Sequence, residues 1–188
     1  MSNKRLTILA GINGAGKTTL RNEHPELFHR MQVIDSDNYL RAFNGNWRRT
    51  SDRLKAISQA NQALEGALGQ GISIVWEVEM AGSAKSETEM ITLAREAGYN
   101  VNLIYVTVKD AEISLERVLH RFRNGGFGGT QLNLPERYAR VKENMTKLKS
   151  LFDCVMIFDN TEQLTCVYDE CDGEVTVNKL SETPWAKI

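Results

Sequence analysis

Proline and cysteine are scarce in this chain. Only 3 of its 188 residues are Pro and 3 are Cys, which excludes collagen-like, proline-rich and disulfide-scaffold classes. Cys154, Cys166 and Cys171 show no C-x-x-C spacing, so neither a zinc ribbon nor a disulfide framework is indicated and all three are expected to be reduced thiols. No sign of charge dominates: 23 Lys plus Arg against 24 Asp plus Glu leave a net charge of -1. That balance gives no overall field to draw nucleic acid or an acidic membrane surface, so any anion site must be local. The apolar stretch Leu6 to Ala10 is too short for a signal-peptide core, and nothing approaches a membrane span, so the expected address is the cytoplasm. His24, His29 and His120 do not cluster, which argues against a transition-metal site. Trp47, Trp76 and Trp185 have no basic stripe beside them and read as packing residues rather than nucleic-acid platforms.

What is there is a chain 41% hydrophobic and 25% charged, the composition of one folded domain over residues 1–188. Leu6 to Ala10 reads as a buried parallel strand entering a glycine-rich turn, with a helix from about Lys17. Gln32 to Asp35 is a second strand, closed by the acidic turn Asp35-Ser36-Asp37-Asn38 ahead of a helix expected near Tyr39. Leu54, Ile57, Leu64 and Leu68 mark an amphipathic helix over 51–70. Further strands are expected at 72–76, 101–108 and 155–158, with helices at 86–97, 113–123 and 135–151. Alternation of Thr165, Val167 and Tyr168 with Val175 and Val177 around Asp172-Gly173 predicts a terminal hairpin at about 163–180. This βα rhythm predicts an α/β fold: three layers around a doubly wound, mainly parallel sheet with the hairpin appended.

Gly11-Ile12-Asn13-Gly14-Ala15-Gly16-Lys17-Thr18 matches G-x-x-x-x-G-K-[ST] between a strand and a helix start, where a phosphate cradle has to lie. Glycines let successive backbone N–H groups converge on phosphate, and the helix N-terminus adds partial positive charge. The pattern predicts a nucleotide on Gly11 to Thr19, with Lys17 on the outer phosphates and Thr18 as a ligand of Mg²⁺. No N-K-x-D motif is present, which points away from a GTPase switch. Asp37 and Asp35 fall at the C-terminal edge of the sheet, where open α/β folds bind ligands. Asp37 is the candidate base for a hydroxyl proton, while Asp35 reads equally as a helix cap. Glu77 reaches the same edge, placed to orient a metal-bound water or to hold substrate hydroxyls. Arg117, Arg121, Arg123, Arg137 and Arg140 flank the glycines Gly125, Gly126, Gly128 and Gly129. Such a set predicts a lid over about 117–140, because guanidinium groups fork onto phosphate oxygens or stack on adenine.

The chain resembles the short, stand-alone zeta-toxin-like P-loop kinases. The likeness rests on Leu6 to Leu20, Val33 to Asp37, Val75 to Glu77, Arg117 to Gly126, Arg137 to Asn144 and Phe158 to Thr161, in that order. It implies an ATP-dependent phosphotransferase acting on a hydroxyl of a UDP-activated amino sugar, with an antitoxin protein as inhibitory partner. By position it implies Asp37 as catalytic base, Arg121, Arg123, Arg137 and Arg140 as lid arginines, and Asn160-Thr161 beside the adenine. Where the family has small Thr residues and then an Arg, this chain has Val78, Glu79 and Ser83. Glu79 is therefore placed in the acceptor pocket, where Arg41, Arg48 or Lys85 is expected to offset its charge. A kinase for polynucleotide 5′ ends and a slow ATPase serving as a regulatory module are the alternative readings.

Overall fold

The computed structural model describes residues 4–124 and 133–188. The expected glycine hinge, Gly125, Gly126, Gly128 and Gly129, lies outside the described residues. The chain runs β1 (Arg5–Ala10), α1 (Lys17–Glu23), β2 (Gln32–Asp35), α2 (Ser36–Ala42), α3 (Thr50–Gly69) and β3 (Ile74–Val78). It continues through α4 (Lys85–Glu96), β4 (Asn100–Thr107), α5 (Ala111–Arg123) and α6 (Leu134–Leu148), and ends with β5 (Cys154–Asp159), β6 (Thr165–Cys171) and β7 (Glu174–Asn178).

The seven strands form one sheet in the order β2-β3-β1-β4-β5-β6-β7. The first five are parallel and the last two antiparallel. Alternation along the strands divides the apolar side chains between two faces. Leu6, Ile8 and Ala10 of β1 join a cluster with Leu64 and Leu68 of α3, Ile91 and Ala94 of α4, and Val141 and Met145 of α6. Leu9 joins Leu20 of α1, Val75, Ile104, Val106 and Phe158 in the other cluster, against which Leu115 of α5 packs. The expected three layers follow directly from this two-sided burial. The β6–β7 turn also forms as its Asp-Gly pair predicts, with φ of 51° at Asp172 and 83° at Gly173.

Four local readings need correction. β3 begins at Ile74 and contains Glu77 rather than ending before it. α2 starts at Ser36, because the Asp35 carboxylate accepts from Asp37 N at 2.9 Å and caps the helix there. Asp37 therefore stands in the first turn of α2, not at the end of β2. In α3, Leu54 and Ile57 are 61% and 46% exposed while Ala56 and Ala60 are buried; over this part of the helix the small residues, not the two large apolar ones, are the buried set. Finally, Cys154 and Cys171 are register partners across the antiparallel β5–β6 pair, Cα atoms 4.0 Å apart, and form a disulfide. Only Cys166 is free. A cross-strand bridge carries no local spacing signature, because it depends on strand register. Among the described residues no helix is long and apolar enough to cross a membrane.

Candidate active site

The loop between β1 and α1 is wrapped tightly by its surroundings. Gly14 has φ of 89° and Gly16 of 110°; a Cβ on Gly14 would overlap the Ser114 carbonyl of α5, and one on Gly16 would overlap the Asn160 side chain. Asn160 Nδ2 donates to Ala15 O at 2.8 Å, so the residue after β5 braces the loop from outside. Behind it, Arg117 Nη2 donates to Thr161 O at 3.0 Å, leaving buried Nη1 without a protein partner. Asp159 accepts from Thr161 Oγ1 at 2.7 Å and from Trp185 Nε1 at 2.9 Å. Lys17 is buried and donates Nζ to Gly11 O at 2.7 Å, which holds the ammonium inside the loop's curve.

Two cavities open beside this loop. The first, of about 530 Å³, is lined by Gly14, Gly16, Thr18, Thr19, Asn160, Arg117 and Arg121, together with Arg21, Asn38 and Arg41. The second, of about 400 Å³, lies toward α3 and is walled by Trp47, Arg53, Trp76, Glu79, Glu87 and Arg137 among others. Asn13, Lys17, Asp35, Asp37 and Glu77 line both. They form the seam where the cavities meet. The topology explains this convergence: β3 lies between β2 and β1, and Asp35 and Glu77 are register partners near the C-terminal ends of β2 and β3.

The seam is electrically strained. Burial and the facing Glu77 carboxylate push the Asp35 carboxyl up to about 6. Burial also raises Asp37, opposed by the charges of Arg41 and Lys17. Glu77 is paired with Arg21 at 2.8 Å. No set of three or more His, Cys, Asp or Glu among the described residues is arranged to hold a metal. A Mg²⁺ ion here would therefore depend on phosphate oxygens plus the Thr18 hydroxyl, the usual manner for that ion.

The expected site residues separate into four groups. Asn13, Gly14, Gly16, Lys17, Thr18, Thr19, Asp35, Asp37, Glu77, Arg117, Arg121 and Asn160 come together around the first cavity. Gly11 and Ala15 are buried in the loop itself. Arg123 and Arg140 are exposed and line neither cavity, while Arg137 lines only the second. There Arg137 forms a half-buried ion pair with Glu79, so the cation that offsets Glu79 is Arg137. Arg41 instead contacts Asn38, Lys85 pairs with Glu89, and Arg48 stacks on Trp47 at 4.2 Å. Trp47 and Trp76, expected only to pack, wall the second cavity. Arg21 was not singled out from the sequence, although it follows Lys17 by four residues and so shares its helix face.

A family model described as an AAA domain matches residues 6–143. The chain belongs to that family. A curated relative, an uncharacterised protein of Haemophilus influenzae, is 32% identical over 126 residues, covering 67% of this chain and 86% of the relative. Among solved structures, one from the PezAT chromosomal toxin-antitoxin system of Streptococcus pneumoniae aligns with a TM-score of 0.73 at 19% identity, over 100% of this chain and 78% of that one. The AvrRxo1-ORF1:AvrRxo1-ORF2 complex with sulphate ions gives 0.77 at 17%, over 98% and 63%. A putative kinase from Chloroflexus aurantiacus gives 0.55 at 22%, over 66% and 70%. These likenesses place the fold among P-loop kinases, in agreement with the zeta-toxin-like resemblance drawn from the sequence.

Proposed function

We propose that this protein is an ATP-dependent phosphotransferase of the zeta-toxin type, which moves the γ-phosphate of ATP to a hydroxyl of a small molecule. A UDP-activated amino sugar is the acceptor the resemblance points to. The observation that carries the reading is the pair of cavities meeting at Lys17, Asp35, Asp37 and Glu77. A transferase needs separate donor and acceptor chambers that share one reacting point, whereas a hydrolytic switch needs only the first. In this reading the triphosphate lies in the loop cavity, and Lys17 exchanges the Gly11 carbonyl for β and γ oxygens. Asp37 takes the proton of the acceptor hydroxyl as its oxygen bonds to the γ phosphorus and the bond to the β-phosphate oxygen breaks, releasing ADP. Arg121 and Arg117, on the donor side, offset charge on the transferring group. Mg²⁺, held by Thr18 and the phosphates, would supply further charge neutralisation. Arg137 is assigned to the acceptor chamber with Glu79. The toxin-antitoxin assemblies among the similar structures make an inhibitory protein partner part of this proposal.

The test is ATP consumption by the purified protein with Mg²⁺ against a panel of nucleotide sugars, with mass spectrometry of the products. A product heavier by one phosphate is expected. Asp37→Asn should lower turnover by about 10² to 10⁴ while ATP affinity stays within about threefold. Full turnover in that variant would remove Asp37 from its role.

A further inference from the structure

Arg21 stands one helical turn beyond Lys17 on α1 and lines the donor cavity, but its partner is not a phosphate-loop group. Its Nη1 reaches Glu77 Oε2 at 2.8 Å, from side chains 25% and 10% exposed. Glu77 faces Asp35 across the β2–β3 register, and its charge also acts on Asp37. Three carboxyl groups thus converge where the most negative part of a nucleotide would lie. The cations lining the donor cavity with them are Lys17 and Arg21 from α1, Arg41 from α2, and Arg117 and Arg121 from α5. Lys17, Arg41 and Arg121 act on Asp37, while Arg21 is held on Glu77. A bare Glu77 carboxylate at the seam would repel both the γ-phosphate and the ionised Asp37.

We propose that Arg21 is a positioning residue that acts through Glu77: it fixes that carboxylate at the seam and cancels its charge, so that the γ-phosphate can approach Asp37. This rests on the phosphotransferase reading for its purpose, but not for its test. The rival role, direct contact of Arg21 with phosphate, predicts a different pattern in a double-mutant cycle.

The experiment measures the affinity of a non-hydrolysable ATP analogue, with Mg²⁺, for the wild type, Arg21→Gln, Glu77→Gln and the double variant. Arg21→Gln should weaken binding about tenfold in the native background, the scale of one uncompensated charge. In the Glu77→Gln background the same substitution should change affinity by less than about twofold, because the charge to be cancelled is gone. Arg21→Lys should retain most of the affinity by keeping the cation. An equal loss in both backgrounds, or no loss in either, overturns the proposal. Should Arg21→Gln fail to fold, Arg21→Ala and the Arg21→Ala/Glu77→Gln double variant take its place in the cycle: a loss in the native background that vanishes in the Glu77→Gln background supports the role, and an equal loss in both, or none in either, overturns it. Because no acceptor is involved, failure to find phosphotransfer would refute the proposed function without touching this result.

Discussion

Asp35→Asn should make the protein more stable, by a gain that opens above about pH 4 and is complete a little above pH 6. Asp35 is held by the fold with its carboxyl pushed from 3.8 up to about 6, by burial and by Glu77 opposite it. The native state therefore prefers the protonated form. Between these two values the folded chain binds more protons than the unfolded one, so stability falls as pH rises through that window and levels off above about 6. The shift of about two units corresponds to a ceiling of ~3 kcal/mol. Screening by water in the open cavity reduces this to about 1–2 kcal/mol. Asparagine keeps the cap, because its Oδ1 can accept from Asp37 N as the carboxylate does. The assay is urea unfolding of both proteins at about pH 4, 6 and 8. The variant should match the wild type near pH 4 and exceed it by about 1–2 kcal/mol near pH 8. A difference that is the same at every pH, or no gain near pH 8, would refute the electrostatic account.

Two further outcomes follow from the loop. Gly14→Ala places a methyl group against the Ser114 carbonyl at a φ of 89°, and should lower stability by about 2 kcal/mol or more and weaken ATP binding, as seen by thermal unfolding and nucleotide titration. Asn160→Ala removes the 2.8 Å hydrogen bond to Ala15 O. It should reduce stability by about 1 kcal/mol and slow or weaken nucleotide capture several-fold, and unchanged binding would show that the loop holds its shape without this brace.

Much of the fold was legible because the parallel strands are short β-prone runs, four of them largely buried, and all five stood out between helical patterns. The nucleotide loop was legible because its chemistry is local: glycines, Lys17 and Thr18 are adjacent in the chain. Asp37 could be placed at the right edge but in the wrong element, since the hydrogen bond from its own N–H to Asp35 starts α2 earlier than the apolar period suggests. The pairings Arg21 with Glu77 and Arg137 with Glu79 could not be read, because their partners lie 56 and 58 residues apart and meet only through the sheet register. The same holds for Cys154 and Cys171. Arg137 was grouped with the lid for its place in an arginine-rich segment, whereas its position on the first turns of α6 delivers it to the second cavity.

The strand order also governs when this protein can assemble. β1 is made first, yet its partners are β3 and β4, with Leu6 opposite Ile74 and Arg5 opposite Asn100. The centre of the sheet cannot close until more than half the chain is available, and the phosphate loop has no fixed walls until then. β5 and β6 each pair with the next strand in the chain, β6 and β7, across short connections, which is the cheap kind of closure. Refolding followed by pulse-labelled hydrogen exchange should show amide protection in β6 and β7 before β1. If β1 is protected first, the order of assembly is set by something other than loop closure.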